Sequence, residues 1–195
     1  MSNIKYQMLN IIMRKGFTLI ELLIVIGIIS ILAVAVVLVL NPAQLLAQAR
    51  DSTRISDLGS IKSAVGLWLA TATSSLTFGT TGLSTVGTTC GFVVTTCTLN
   101  ATTTVTGGGW VAVDLSQTSG GSPLSSLPLD PSQTTTYYYA YKGNDTAKTF
   151  ELNGRLESEK YRDLMKTDGG DRSLCTSWTD ANCFYEVGSD PGLDL

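Results

Sequence analysis

Apolar positions run without a break through the first part of the chain and then take up a helical period. From Leu22 to Leu40 there are nineteen residues without a charge, about 28 Å of helix, which matches the hydrocarbon core of a bilayer. Past Asn41 and Pro42 the pattern stays helical but becomes amphipathic. Ile55, Leu58, Ile61, Val65, Trp68 and Ala72 recur at spacings of three and four, while Arg54, Asp57 and Lys62 fall on other faces. The spacing predicts one long helix from Phe17 to about Ala70. Its first half is apolar all round, its second half packs on a globular domain, and Pro42 marks a kink or local unwinding between them. Gly59 and Gly66 weaken the second half by about 1 kcal/mol each relative to alanine, and allow close approach of a packed element.

Beyond the helix the period shortens. No charged residue occurs between Ser63 and Val113, and this threonine-, glycine- and serine-rich stretch reads as irregular loop with brief strands. Trp110–Leu115, Thr136–Tyr141 and Thr149–Leu152 are β-branched or aromatic runs. The last two form a hairpin across the turn signal Gly143-Asn144-Asp145. Alternating tyrosines in such a strand place half of them in the core. About 125 residues follow the helix, enough for one modest core. The expected fold class is α+β: a long N-terminal helix packed through its second half against a small antiparallel sheet.

Charge orients the chain. Lys5, Arg14 and Lys15 all precede the apolar run, so the positive-inside rule puts the N-terminus in the cytoplasm and everything beyond about Asn41 outside. The whole chain carries a formal −3. That balance excludes bulk nucleic-acid binding, which needs a basic face. The chain has no histidine, which removes Ser-His-Asp and Cys-His nucleophiles and histidine-ligated zinc. Neither a Walker-type phosphate loop nor a GxSxG elbow is present. An enzyme is not expected, nor a cofactor.

Cys90, Cys97, Cys175 and Cys183 all lie on the outer side and none forms a CxxC pair. An even count in an oxidising compartment reads as disulfides, with three connectivities open. Short loops close at the lowest entropic cost, which favours Cys90 with Cys97 and Cys175 with Cys183.

A lone carboxylate, Glu21, stands at the mouth of the apolar run. A charge in that place is costly and is a functional hypothesis by default. With its surroundings, Arg14-Lys15-Gly16-Phe17-Thr18-Leu19-Ile20-Glu21-Leu22, it resembles the start of the type IV pilin and type II secretion pseudopilin superfamily. The resemblance is specific over Arg14 to about Leu32, and Pro42 comes later than that family's usual helix proline. It implies a leader, residues 1–16, cut by a prepilin peptidase between Gly16 and Phe17, followed by methylation of the Phe17 amine. It implies further that the Phe17 amine of one subunit meets Glu21 of a neighbour. Removing the three leader cations takes the charge from −3 to about −6.

The implied organisation is a transmembrane and filament-core helix over 17–41, its amphipathic continuation over 42–72, and a head over 73–195 with an αβ loop, the sheet and a C-terminal disulfide loop. Pro128-Leu129-Asp130-Pro131, and Phe150-Glu151-Leu152 followed by Leu156-Glu157, resemble the sheet region of major pseudopilins and of some short bacterial pilins. The implied partners are further copies of the chain, the prepilin peptidase, the pilus or secretion assembly machinery and the membrane. The implied location is the inner membrane before assembly and a surface filament afterwards. A type IV pilus subunit serving adhesion, motility or DNA uptake is the first reading and a type II secretion pseudopilin the second.

Other readings explain less. A secretory signal peptide ending at Ala33-Val34-Ala35 leaves the apolar run continuing through Leu40 and places Glu21 inside the h-region. A plain anchor carrying a binding domain that never polymerises gives no reason for glycine, phenylalanine and glutamate at these spacings. Asp168, Asp171, Asp180 and Asp190 are candidate calcium ligands in the acidic tail, as in the C-terminal loop of some pseudopilins. Their spacing does not match an EF-hand, and a solvated acidic loop is the simpler account.

Overall fold

The computed structural model describes residues 16–72, 75–88, 90–92, 96–170 and 183–195. Two helices follow one another, α1 (Leu19–Leu40) and α2 (Pro42–Thr71), with Asn41 between them at a left-handed φ of 39°. The chain divides at this point into two units, the first ending at Pro42 and the second starting at Ala43. In the first, no residue of α1 is buried. The helix is long and apolar enough to cross a membrane. Its serine, Ser30, donates to the carbonyl of Ile26 at 2.7 Å, so the hydroxyl needs no partner outside the helix.

In the second unit α2 begins on proline, whose missing N–H is no loss in a first turn. Ala47, Asp51, Arg54, Leu58, Ile61, Val65 and Trp68 are buried at spacings of three and four. The stripe is the expected one with a correction: Arg54, expected on another face, lies on the stripe with no exposed surface, while Ile55 beside it is only half buried. The reason is the set of carboxylates that meets Arg54, described below.

Among the described residues the sheet has five strands in the order β2-β1-β3-β4-β5: β1 (Leu83–Ser84), β2 (Thr98–Leu99), β3 (Tyr139–Asn144), β4 (Thr149–Gly154) and β5 (Tyr185–Gly188). The expected hairpin is β3–β4, with Tyr141 opposite Leu152. Its turn falls slightly later than the signal suggested. Asn144 ends β3 and its side-chain oxygen accepts from Thr146 and Ala147 backbone N–H, both at 3.0 Å. All pairings are antiparallel except β1 with β2, which is parallel and makes the sheet mixed.

Trp110–Leu115 is not a strand. The stretch carries one isolated bridge, Thr106 to Asp114, and then a 3-10 turn over Leu115–Gln117. Consecutive Trp110 and Val111 are both fully buried, so the apparent alternation has no open face to express. Trp110 is fixed instead by its indole N–H, which donates to the Pro128 carbonyl at 2.9 Å.

Each face of the sheet has its own core. Leu58, Ile61, Val65 and Trp68 of α2 pack with Tyr139, Tyr141, Phe150 and Leu152 on one face, where Trp110, Val113 and Leu115 complete the cluster. On the other, Tyr138 and Ala140 meet Phe92, Phe184 and the Cys90–Cys97 disulfide. Successive side chains of a strand point to opposite faces, so the tyrosine run serves both cores.

Candidate functional site

Residues 16–18 precede the first helical turn and are exposed. Phe17 is 76% exposed, and a methyl group built on Gly16 meets nothing within 4 Å. The Gly16–Phe17 bond therefore lies, among the described residues, in an exposed segment ahead of the first helical turn. Thr18 caps α1: its backbone is extended and its hydroxyl accepts from the Glu21 N–H at 3.2 Å. Leu22 N–H donates to the Thr18 carbonyl at 3.1 Å. Thr-x-x-Glu is the sequence signature of such a cap, and it identifies Thr18 as a site residue that the resemblance alone did not single out.

Glu21 sits in the first turn of α1, where the partial positive charge of the helix N-terminus favours a carboxylate. Beyond it α1 offers no further charge up to Leu40. Chemically, then, the segment is an apolar rod carrying one acid at its end, with a single residue, Phe17, between the expected cut and the cap. A free amine on Phe17 is positive at neutral pH and stands at the positive end of the helix dipole.

A second polar centre binds α2 to the rest of the head. Arg54 donates to both oxygens of Asp130, Nε to Oδ2 at 2.6 Å and Nη2 to Oδ1 at 3.1 Å. Its Nη1 reaches Asp51 Oδ1 and Glu157 Oε1, each at 2.8 Å, and the Tyr137 ring lies 4.7 Å from the guanidinium carbon. Asp51 accepts in addition from the backbone N–H of Ser158 at 2.7 Å and of Glu157 at 3.0 Å. Arg50 closes a two-point contact on Glu157 at 2.6 and 3.0 Å.

Burial opposes the charge on Arg54, but its carboxylate partners outweigh that and push its pKa up. Glu157 shows the same contest. Burial raises its pKa, while the hydrogen bonds from Arg50 and Arg54 outweigh it and hold the carboxyl below its ordinary value. The segments around Asp130 and Glu157, 76 and 103 residues from Arg54, are thereby brought to one point on α2.

The acidic tail is only partly described. Asp168 accepts from the Glu186 N–H at 2.9 Å and burial raises its pKa. Asp190 accepts from the Thr149 hydroxyl at 2.7 Å. Both border an open cavity of about 500 Å³ that Lys62 and Glu186 also line. Asp171 and Asp180 lie outside the described residues. Among the described residues no three side chains of ligand type converge on a point that could hold a metal ion.

Cys90 and Cys97 are joined, with their Cα atoms 5.9 Å apart. Cys183 is disulfide-bonded as well, and Cys175, its expected partner, lies outside the described residues.

Residues 12–37 match the family model of the prokaryotic N-terminal methylation motif. This is the prepilin motif found at the start of type IV pilins and pseudopilins, and it spans the expected cut, the Thr18 cap, Glu21 and most of α1. No curated protein and no solved structure matches the chain.

Proposed function

We propose that this chain is a structural subunit of a type IV pilus filament that polymerises through α1 once its leader is removed. The observation that carries the reading is the methylation motif over residues 12–37, which runs into a helix, Leu19–Leu40, none of whose residues is buried. Such a helix needs an apolar environment on all sides. Lipid supplies it in the precursor, and the packed helices of other copies supply it in the filament. The prepilin peptidase cuts Gly16–Phe17 at the cytoplasmic face, the Phe17 amine is methylated, and this cation then meets Glu21 of an adjacent copy. Two charges that neither lipid nor a dry helical core tolerates alone are neutralised together.

The long uncharged loop and the disulfide of the head support exposure on a surface fibre. A pseudopilin of a type II secretion system is the alternative within the same class, since the methylation motif is common to both. Two measurements test the reading. N-terminal sequencing of the protein from its host is expected to begin at a methylated Phe17, and an intact Met1 overturns the proposal. Electron microscopy of the cells is expected to show long surface fibres labelled by antibody to the head. Cells that secrete through the system yet carry no fibre assign the chain to a pseudopilus.

A further inference from the structure

The chain holds two Asn-x-Thr triplets, Asn100-Ala101-Thr102 and Asn144-Asp145-Thr146, the pattern at which a sugar can be joined to an asparagine amide. Residue order does not separate them, but their surroundings do. Asn100 spends its amide inside the chain. Its Nδ2 donates to the Gly109 carbonyl at 2.9 Å and to that of Gly108 at 3.3 Å, and its Oδ1 accepts from the Thr102 N–H at 3.0 Å. A bond made to that nitrogen would replace one of the two donated protons. Asn144 spends only its oxygen, which accepts from the Thr146 and Ala147 N–H groups. Its Nδ2 and the Thr146 hydroxyl make no hydrogen bond among the described residues.

The second triplet is also held in shape by the rest of the head. Lys148 N–H donates to the Asn144 carbonyl at 2.9 Å, Asp145 Oδ1 accepts from the Phe78 N–H at 2.6 Å, and Lys148 Nζ donates to the Leu76 carbonyl at 2.7 Å. The β3–β4 turn is thereby pinned to the segment just past the end of α2. Asn144 is half exposed on it, and Thr146, Ala147 and Lys148 are fully so.

We propose that Asn144 is the acceptor of an N-linked oligosaccharide, transferred on the outer side of the membrane from a lipid-linked pyrophosphate donor. The proposal rests on the outward placement of the head in the filament reading and adds a covalent modification to that head. Nδ2 forms a bond to the anomeric carbon of the sugar as the bond from that carbon to the pyrophosphate oxygen breaks. The lipid pyrophosphate leaves with the electron pair, and Nδ2 gives up one of its two protons to a base of the transferase. Nothing is oxidised or reduced. The two N–H donors on Oδ1 draw electron density towards the oxygen and make the Nδ2 protons more acidic, which eases their loss. Both of those bonds survive the transfer, so the turn keeps its shape once the sugar is in place. The Thr146 hydroxyl stays available to the enzyme that reads the triplet.

The test uses the full-length chain from its own host, digested with trypsin and read by mass spectrometry. Cleavage after Lys142 and Lys148 releases Gly143–Lys148, and this peptide is expected to carry hexose or N-acetylhexosamine units located on Asn144 by fragmentation. Thr146→Ala is expected to abolish the added mass, and Thr146→Ser to keep it. Both act at an exposed side chain without a partner, so the fold is not at stake. Asn100→Gln is expected to leave the modification unchanged. A bare Gly143–Lys148 peptide from assembled filaments overturns the proposal and leaves the filament reading in place, and so does sugar found on Asn100 instead. A glycosylated Asn144 on a chain that still begins at Met1 supports the proposal while overturning the filament reading.

Discussion

Arg54 and Asp130, 76 residues apart in sequence and both with fully buried side chains, are joined by two hydrogen bonds of 2.6 and 3.1 Å. A guanidinium presents a planar fork that fits both oxygens of one carboxylate, which a lysine cannot reproduce. Replacing Arg54 by alanine strands Asp51 and Asp130 in the interior without their cation, and breaking a buried pair in this way costs about 3 to 5 kcal/mol. Urea unfolding of the full chain in detergent, followed through the buried Trp68 and Trp110, is expected to show that loss. Arg54→Lys is expected to recover only part of it.

Acidity reaches the same cluster through Glu157. Its folded pKa lies below the unfolded value of about 4.3. Its stabilising contribution is therefore complete above that value and is lost as pH falls through the folded one. Asp57 and Asp168 are raised by burial and act in the opposite sense, favouring the fold when protonated. Comparing the chain with its Glu157→Gln variant isolates the first effect, because the other two are common to both. The variant is expected to be less stable at pH 7 and to show a shallower fall in melting temperature below about pH 4.3.

The proposed processing acts on the exposed segment before the cap. Gly16→Val places a branched side chain at the scissile bond, where glycine leaves the backbone bare. A full-length precursor retained in the membrane is expected. A mature chain beginning at Phe17 from this variant shows that the cut is elsewhere.

Glu21→Ala separates insertion from assembly. It removes a charge from the edge of an apolar helix, so the membrane-bound fraction is expected to stay the same or rise. Filament yield is expected to collapse, because the amine of the neighbouring copy loses its counter-charge. Fibres at normal yield reduce Glu21 to a residue that merely suits the start of a helix.

The Cys90–Cys97 bond closes a loop of about eight residues, for which the chain-entropy model gives roughly 2.5 kcal/mol. It lies in the cluster with Phe92, Tyr138 and Phe184, on the sheet face away from α2. Reduction is expected to speed proteolysis around residues 90–97 while Trp68 and Trp110 fluorescence keeps its native position. Peptide mapping without reductant is expected to recover Cys175 linked to Cys183.

Helices and hairpin were legible because each rests on a local period: the unbroken run of α1, the three-and-four stripe of α2, and the aromatic pairs of β3 and β4. Arg54 was misplaced because its burial is decided by distant acids. Periodicity reads a charge as solvent-facing and has no access to Asp130 or Glu157. A hint was present all the same, since Asp51 and Arg54 continue the spacing of Leu58, Ile61 and Val65. Trp110–Leu115 misled for a related reason. Its apolar residues are wanted by the core, while its backbone bonds go to the loop beside it, Trp110 N–H to the Thr102 carbonyl and Leu115 N–H to that of Val105. At the N-terminus the opposite holds, since the methylation motif over residues 12–37 is a matter of residue order alone.

A rod that is apolar on every side carries no mark of which way it faces. Turned about its own axis, α1 presents much the same surface to lipid or to a neighbour, so its apolar side chains supply grip without direction. Glu21 is the exception. Held in the first turn by the Thr18 cap, it acts as a single bearing on an otherwise featureless cylinder, and one residue inserted between Thr18 and Glu21 would swing that bearing by about 100° and move it 1.5 Å along the axis. The order of four residues thus places the one charge of a helix more than thirty ångströms long.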